Sequence, residues 1–505
     1  MIAITPGPRT SSPVLRKELG NVHGAHNTIP LAGRLFEAER TSYVWGIAIV
    51  AAMGGLLFGY DWVVIGGARQ FYEVYFGLVS EQLVGWANSC ALVGCFAGSL
   101  AAGLLGDRFG RRRILLASAI LFAVSSVLTG WANVFSSFIF WRILGGTAIG
   151  LSSNISPLYI AEISPAAIRG RLVSLNQFAI VVGILLAQVV NWRIARPVPD
   201  RISSALFLQS WNVQYGWRWM FTAVAVPAIV FMLTSIFIPE SPRWLMAKGK
   251  EAGARETLTR IGGVAYAESE LQGIAHALAR EAGNRRSWSD LLRPGVRKVL
   301  VVAVLLAFLQ QWTGINILFN YAAEIYRSAG YGSNDIFLNI VITGTINLVF
   351  TVLAMAIVDR IGRRRMMILG CAGIGVSHLL SGLAYRAGWH GAPILLLTLC
   401  AIACYAMTLA PVTWVLIAEI FPNRIRSMGV SVAVSGLWIA SFLLTYTFPL
   451  LNRVLGSSGI FFAYGAICLA GGLFVFSSVT ETKGQSLEEI ETSVIERALA
   501  HGQKH

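Results

Sequence analysis

Two charged side chains stand where charge is costly. Asp61, in Gly59-Tyr60-Asp61, and Arg142, just before Gly145-Gly146, each lie inside a long apolar stretch of the chain. A charge at mid-bilayer costs at least a few kcal/mol, so it persists only when paired, hydrated or put to use. An acid in that position feels two opposed forces, because burial favours its neutral form and a nearby guanidinium favours its charged form. If the balance changes with conformation, the acid is a proton switch; if it does not, the two groups are a static ion pair. The glycines at 145, 146 and 150 would let neighbouring helices approach closely.

A second set of candidates is polar but uncharged. Gln310, Gln311 and Asn316 share one apolar stretch, Gln177 lies in another and Asn347 in a third. A carboxamide both donates and accepts hydrogen bonds without carrying charge. Taken singly, such a residue is more often glue between helices, and a tryptophan such as Trp414 or Trp438 more often packing or an interface anchor. Enzyme chemistry finds no foothold: the seven histidines are scattered, and there is no metal-ligand cluster, phosphate loop or nucleophile constellation. His378, the one histidine inside an apolar stretch, reads as a packed or hydrogen-bonded residue. All six cysteines lie in such stretches and read as small apolar residues, not as a disulfide framework or zinc ribbon.

The elements that position these groups are legible in the composition. The chain is 55% hydrophobic and 13% charged, with mean hydropathy +0.64, too apolar for a surface facing water. Runs of roughly 20 apolar residues, enough to cross a bilayer, recur about twelve times. They fall near 43–66, 82–105, 112–132, 136–159, 172–193 and 219–238, then 297–321, 335–358, 365–386, 393–418, 428–451 and 459–479. Backbone exposed to hydrocarbon must bond internally, and strands of a barrel would be half as long with alternating polarity, so the spans are helices. The fold class is an all-α membrane protein.

The net charge of +15 does not point to nucleic acid, because the basic residues sit in short loops between spans. Clusters at 108–113, 169–171, 360–365 and 424–426 fall on one side, which the positive-inside rule makes cytoplasmic, together with both termini. Arg193, Arg196, Arg201 and Arg218 vote the other way from a longer loop. The expected divisions are a cytoplasmic tail over 1–42, a six-helix bundle over 43–239, a linker over 240–296, a second bundle over 297–480 and a tail over 481–505. The tail at 1–42 has no apolar core and is not a cleaved signal. The linker should form short helices with a break at Gly262-Gly263.

The chain repeats itself. Gly106-Asp107-Arg108-Phe109-Gly110-Arg111-Arg112-Arg113 follows span two, and Val358-Asp359-Arg360-Ile361-Gly362-Arg363-Arg364-Arg365 follows span eight, with six of eight positions identical. Ile160-Ala161-Glu162-Ile163-Ser164-Pro165 with Arg169 is matched by Ile417-Ala418-Glu419-Ile420-Phe421-Pro422 with Arg426. The separations, 252 residues for Asp107 and Asp359 and 257 for Glu162 and Glu419, nearly agree. Two matched pairs at one offset mean duplication of six-span halves, the build of the major facilitator superfamily, which the chain resembles throughout.

Shorter strings are similar to the sugar porter family: Arg169-Gly170-Arg171, Pro239-Glu240-Ser241-Pro242-Arg243-Trp244-Leu245, Gln310-Gln311 with Gly314-Ile315-Asn316, and Glu481-Thr482-Lys483-Gly484. The resemblance runs from about 43 to 490 and is strongest to the xylose-type proton symporters; Thr480 stands where the exit motif usually starts with proline. It implies a proton-coupled monosaccharide symporter, with Asp61 and Arg142 as the coupling pair. It places Phe58, Gln177, Ile180, Gln310, Gln311, Asn316, Asn320, Asn347, Trp414 and Trp438 at sugar-contact positions. An unbroken helix would point Gln311 and Asn316 about 140° apart, and Gly314 could open it so that they converge.

The resemblance also makes Asp107, Arg108, Arg112, Glu162, Arg169, Arg171, Asp359, Arg360, Arg364, Glu419 and Arg426 a cytoplasmic gate, paired across the halves when the opposite side is open. Against the xylose-type pattern, Ile184 and Leu437 replace glutamines, Asn320 replaces a tyrosine and Leu409-Ala410 replace Trp-Gly, so xylose itself does not carry over. No cofactor or metal is expected beyond the proton gradient. The implied partners are a small sugar, the proton and the bilayer of the cell membrane, with the protein a monomer. An uncoupled sugar facilitator is the nearest alternative, and a sugar-sensing receptor of transporter origin a more distant one.

Overall fold

A computed structural model describes residues 31–199, 203–283, 291–421, 425–479 and 481. The tails at 1–30 and 482–505, together with Arg201, Arg285, Arg286, Arg424 and Thr480, lie outside the described residues, as do the side chains of Asp359 and Arg426.

Eleven helices among the described residues are long and apolar enough to cross a bilayer. The last of them, Arg426–Ser478, has 53 residues. At 1.5 Å per residue it would be about 80 Å long, far more than the roughly 30 Å of hydrocarbon. Gly456, at φ 68° and ψ 170°, breaks it in two, and the fold therefore has twelve spans in two six-helix bundles. Leu104, Phe237, Leu473 and Phe476 are more than half exposed on its sides, a surface that lipid solvates and water does not.

The first span is longer than its apolar run suggests. It continues as helix to Tyr75 and not to 66, because Arg69 and Glu73, which look like a polar ending, find partners within the protein. The sixth span begins early, at Ser204, and carries a π-helical turn at Asn212–Gly216. That turn precedes Arg218, whose guanidinium donates to the carbonyls of Gly130 and Ala132 at 2.9 and 2.8 Å. The carbonyls at the end of the third span would otherwise be unpaired. This is the physical reason Arg218 lies at the end of the bundle away from the arginine loops.

The halves touch along two seams. A Cβ on Gly85 in span two would lie 2.3 Å from the carbonyl of Tyr446 in span eleven, with the rings of Trp86 and Phe442 edge to face at 6.3 Å beside it. Span five meets span eight where Gly344 lies against the Gln188 side chain. Between the halves run three short helices, Pro242–Ala247, Glu251–Gly262 and Val264–Gly283, with the break at Gly263, φ 91°. They share a small apolar core of Ala254, Leu258, Ala267 and Leu271. Trp244 ties them to the first half by donating to the Asp107 carbonyl at 2.9 Å.

Candidate functional site

A cavity of about 100 Å³ lies between the two halves. Its second-half wall carries the carboxamides of Gln310, Gln311, Asn316 and Asn347, with Tyr405, Trp414 and Trp438. The first-half wall is Phe58, Trp62, Ile180, Val181 and Ile184, with Gln177 as its one carboxamide. Nine of the ten residues proposed from sequence thus face one space. The tenth, Asn320, does not: it lies one helical turn beyond Asn316 and borders a second, smaller cavity beside Arg142.

The polar wall depends on a broken helix. Span seven stops at Trp312 and restarts at Ile315, with Gly314 between at φ 81°, ψ −3°. That left-handed conformation favours glycine, and a Cβ there would lie 2.6 Å from the Tyr464 ring. The Thr313 carbonyl exposed by the break accepts a 2.8 Å hydrogen bond from His378, which is buried. Across the break the amides join head to tail. Asn316 donates to Gln311, Gln311 donates to Gln310 at 2.7 Å, and Gln310 donates to the Tyr405 hydroxyl. Each amide N–H₂ keeps one further N–H for a ligand, and the indole N–H of buried Trp438 has no partner among the described residues.

Asp61 and Arg142 are paired. One guanidinium nitrogen reaches both carboxylate oxygens, at 2.9 and 3.0 Å, and both residues are 3% exposed. Arg142 also stands over the Phe221 ring at 5.2 Å, and its Nε has no partner among the described residues. Trp62, next in sequence to Asp61, borders both the amide cavity and the small one lined by Arg142 and Asn320. The small cavity, about 10 Å³, is close to the volume that holds one water.

The face away from the arginine loops is bridged between the halves. Arg69 donates to Glu324 at 2.7 Å and pairs with Glu73 on its own helix. Its guanidinium stacks on Tyr321 at 4.1 Å. Asn452 donates to the second Glu324 oxygen at 2.7 Å, and Arg327 bonds Gln70.

On the arginine face one set of pairs recurs in each half. The Glu240 carboxylate accepts from the backbone N–H of Arg111 at 2.8 Å, and Glu481 accepts from that of Arg363 at 2.8 Å. Both acids cap helix N-termini, where carboxylates are favoured. Both sit against a glycine, Gly110 and Gly362, at φ 99° and 100°. Arg112 donates to the Ile236 carbonyl and Arg364 to that of Phe476, each at 2.5 Å. Glu162 receives two bonds from Arg111, at 3.0 and 3.1 Å, and one from Ser241 at 2.5 Å. Glu419 lies 3.8 Å from Arg363.

Of the other gate candidates, Asp107 pairs with Arg111 at 3.0 Å, Arg108 lies over Phe109, and Arg169 bonds the Ser164 carbonyl. Arg171 and Arg360 are exposed on the same face.

Sequence reasoning missed Arg111 and Arg363, the arginines that meet the two glutamates, and the caps Glu240 and Glu481. It also missed Trp62 and Tyr405 in the cavity and the Arg69, Glu73 and Glu324 network. The matched Glu240 and Glu481, each closing a half, were the one readable signal. Among the described residues no group of three or more His, Cys, Asp or Glu could hold a metal.

Known proteins share this architecture. A model of the sugar (and other) transporter family matches residues 47–493. The chain is 37% identical over 482 residues to the D-xylose-proton symporter of Escherichia coli (strain K12), covering 89% of this chain and 96% of that protein. It is 37% identical over 446 residues to the arabinose-proton symporter of Bacillus subtilis (strain 168), covering 88% and 94%. An inward-open structure of the xylose transporter from E. coli superposes with a TM-score of 0.78 at 36% identity, covering 89% of this chain and 100% of that one. Because these matches take in both bundles and the cavity between them, the chain belongs to the sugar (and other) transporter family.

Proposed function

We propose that this protein is a proton-coupled monosaccharide symporter that works by alternating access. Asp61 with Arg142 is the proton-coupling pair, and the cavity of Gln177, Gln310, Gln311, Asn316 and Asn347 is the sugar site. The observation that carries this reading is the placement of a buried ion pair, Asp61 with Arg142, beside Trp62, which also walls the amide-lined cavity. Hydroxyls need partners that donate and accept, and a coupled proton needs an acid whose charge can be withdrawn from lipid. The names of the proton symporters that the chain resembles support the same activity.

In this reading the arginine face is cytoplasmic, with both termini on that side of the cell membrane. The first bundle spans 43–239, the linker 240–296 and the second bundle 297–480. The loop acids and arginines pair across the halves when the cytoplasmic side closes, and the protein acts as a monomer without a cofactor. Bridging of the outer face by Arg69 and Glu324 supports assignment of this conformation to the side of the cycle closed to the exterior.

The test is uptake of a radiolabelled sugar panel into proteoliposomes with and without an inward proton gradient. Accumulation above equilibrium only with the gradient is expected. Equilibration that ignores the gradient would make the protein a facilitator, and no uptake of any sugar would overturn the reading.

A further inference from the structure

The two walls of the cavity differ in chemistry, and that difference narrows the substrate. Seven residues line the first-half side, and only the Gln177 carboxamide and the Trp62 indole N–H among them bring a polar side-chain atom; Phe58, Ile180, Val181 and Ile184 present hydrocarbon. The Trp62 ring is held in place by Phe58 and Trp438, with centroids 6.1 Å away in both cases. On the other side Leu437 adds aliphatic surface, while the bonded amides and Tyr405 supply hydrogen-bonding capacity.

A pyranose has its own asymmetry. Its hydroxyls run contiguously along C1 to C4, so when they face the amides the C5 edge is the part left for the aliphatic side chains of Val181, Ile184 and Leu437. A hydroxymethyl group against these would bring a hydroxyl to side chains without a donor or acceptor, which is costly. A pentose would leave the wall unfilled. A methyl group satisfies both conditions.

We propose that the cavity selects a 6-deoxyhexose, a monosaccharide with a methyl group on C5, and that Ile184 and Leu437 determine this choice. The proposal rests on the sugar-transport reading above. A group the size of a methylene in an apolar pocket is worth roughly 10-fold or more in discrimination, so the preference over the parent hexose and over the pentose should reach about that factor.

The test uses purified full-length protein in proteoliposomes and matched radiolabelled pairs that differ only at O6: D-glucose with 6-deoxy-D-glucose, D-galactose with 6-deoxy-D-galactose, L-mannose with L-rhamnose, and D-xylose beside them. In at least one pair the 6-deoxy sugar should have an initial uptake kcat/KM about tenfold above its parent. Ile184→Gln, and separately Leu437→Gln, should pull that ratio toward one, while Ile184→Leu should keep it. Parent hexoses transported as well as the 6-deoxy sugars in every pair would overturn the proposal, as would a ratio that neither glutamine variant moves. Because the wild-type ratio is read first, a variant that fails to fold does not decide the matter. Uptake of parent sugars without a deoxy preference sinks this inference alone, whereas no uptake of any sugar sinks the transport reading beneath it.

Discussion

Arg69 and Glu324, 255 residues apart in sequence, meet at 2.7 Å across the two halves on the face away from the arginine loops. Their side chains are 13% and 36% exposed, between the exposed pairs worth under about 1 kcal/mol and the buried ones that cost several to break. Arg69 is shared with Glu73, so its removal leaves two carboxylates facing each other. Arg69→Ala should therefore weaken this seal by about 1–2 kcal/mol, roughly a 5- to 30-fold change in population. Spin labels at Val79 and His390, exposed on the two halves of this face, should show a longer separation in the variant. An unchanged distance distribution would mean that the ion pair does not hold the face shut.

The arginine face should respond in the opposite sense. Here Glu162 is met by Arg111 of its own half and by Ser241 of the linker, and Arg364 donates to the Phe476 carbonyl at the end of span twelve. When this face closes, the proposed gate brings the arginines of each half toward the acids of the other, so each carboxylate then serves more cations. A network of that kind can bias two states already close in energy. Glu162→Gln and Arg364→Ala should each shift the population toward the form open on this face. The readout is the distance between labels at Phe109 and Ile361, exposed on the two halves. A variant with the wild-type distribution counts against the gate.

These two faces show where sequence was readable and where it was not. The spans and the duplication were legible because a bilayer demands long apolar runs and because the motif around Asp107 recurs at Asp359. Which arginine meets Glu162 was not, since Arg111 and Arg112 are adjacent and point about 100° apart, and only packing decides between them. Arg69 and Glu73 looked like the polar end of span one, because the partner that keeps them helical lies on span seven. Trp62 was invisible as a site residue for another reason: a large aromatic in an apolar run reads as packing, and nothing local says that it walls two cavities. Asn320 was placed with the sugar contacts by resemblance, and the turn of helix after Gly314 carries it to the Arg142 side.

That same turn makes Gly314 testable. An alanine there adopts a left-handed conformation at a cost of about 1–2 kcal/mol, and its Cβ would lie 2.6 and 2.8 Å from Tyr464 ring carbons. Relief of that contact must move the segment that carries Asn316 relative to Gln311. Gly314→Ala should lower sugar affinity at least roughly tenfold, since each 1.4 kcal/mol is a factor of ten. Gly103→Ala, where an added Cβ meets nothing within 4 Å, should leave it unchanged. Calorimetric titration of both purified variants with a transported sugar gives the comparison, and equal affinities would show that the break does not shape the site.

The sharpest separation of roles concerns Asp61. An asparagine in its place keeps an oxygen that can accept from Arg142, so the shape of the small cavity beside Trp62 persists. What disappears is the charge and the capacity to take up and release a proton. Arg142, 3% exposed, is then left without its anion, and breaking a buried pair from one side costs about 3–5 kcal/mol at full strength. Asp61→Asn should accordingly melt at a lower temperature than the wild type in detergent. Its transport should divide: sugar counterflow at equal pH on both sides continues, because exchange requires the amide cavity alone, whereas a proton gradient no longer drives accumulation. Vesicles loaded with a pH-sensitive dye should acidify inside on sugar addition with wild type and stay silent with the variant. If Asp61→Asn still concentrates sugar against its gradient when the outside is acidic, the coupling proton is carried elsewhere, and Asp61 with Arg142 is a static ion pair.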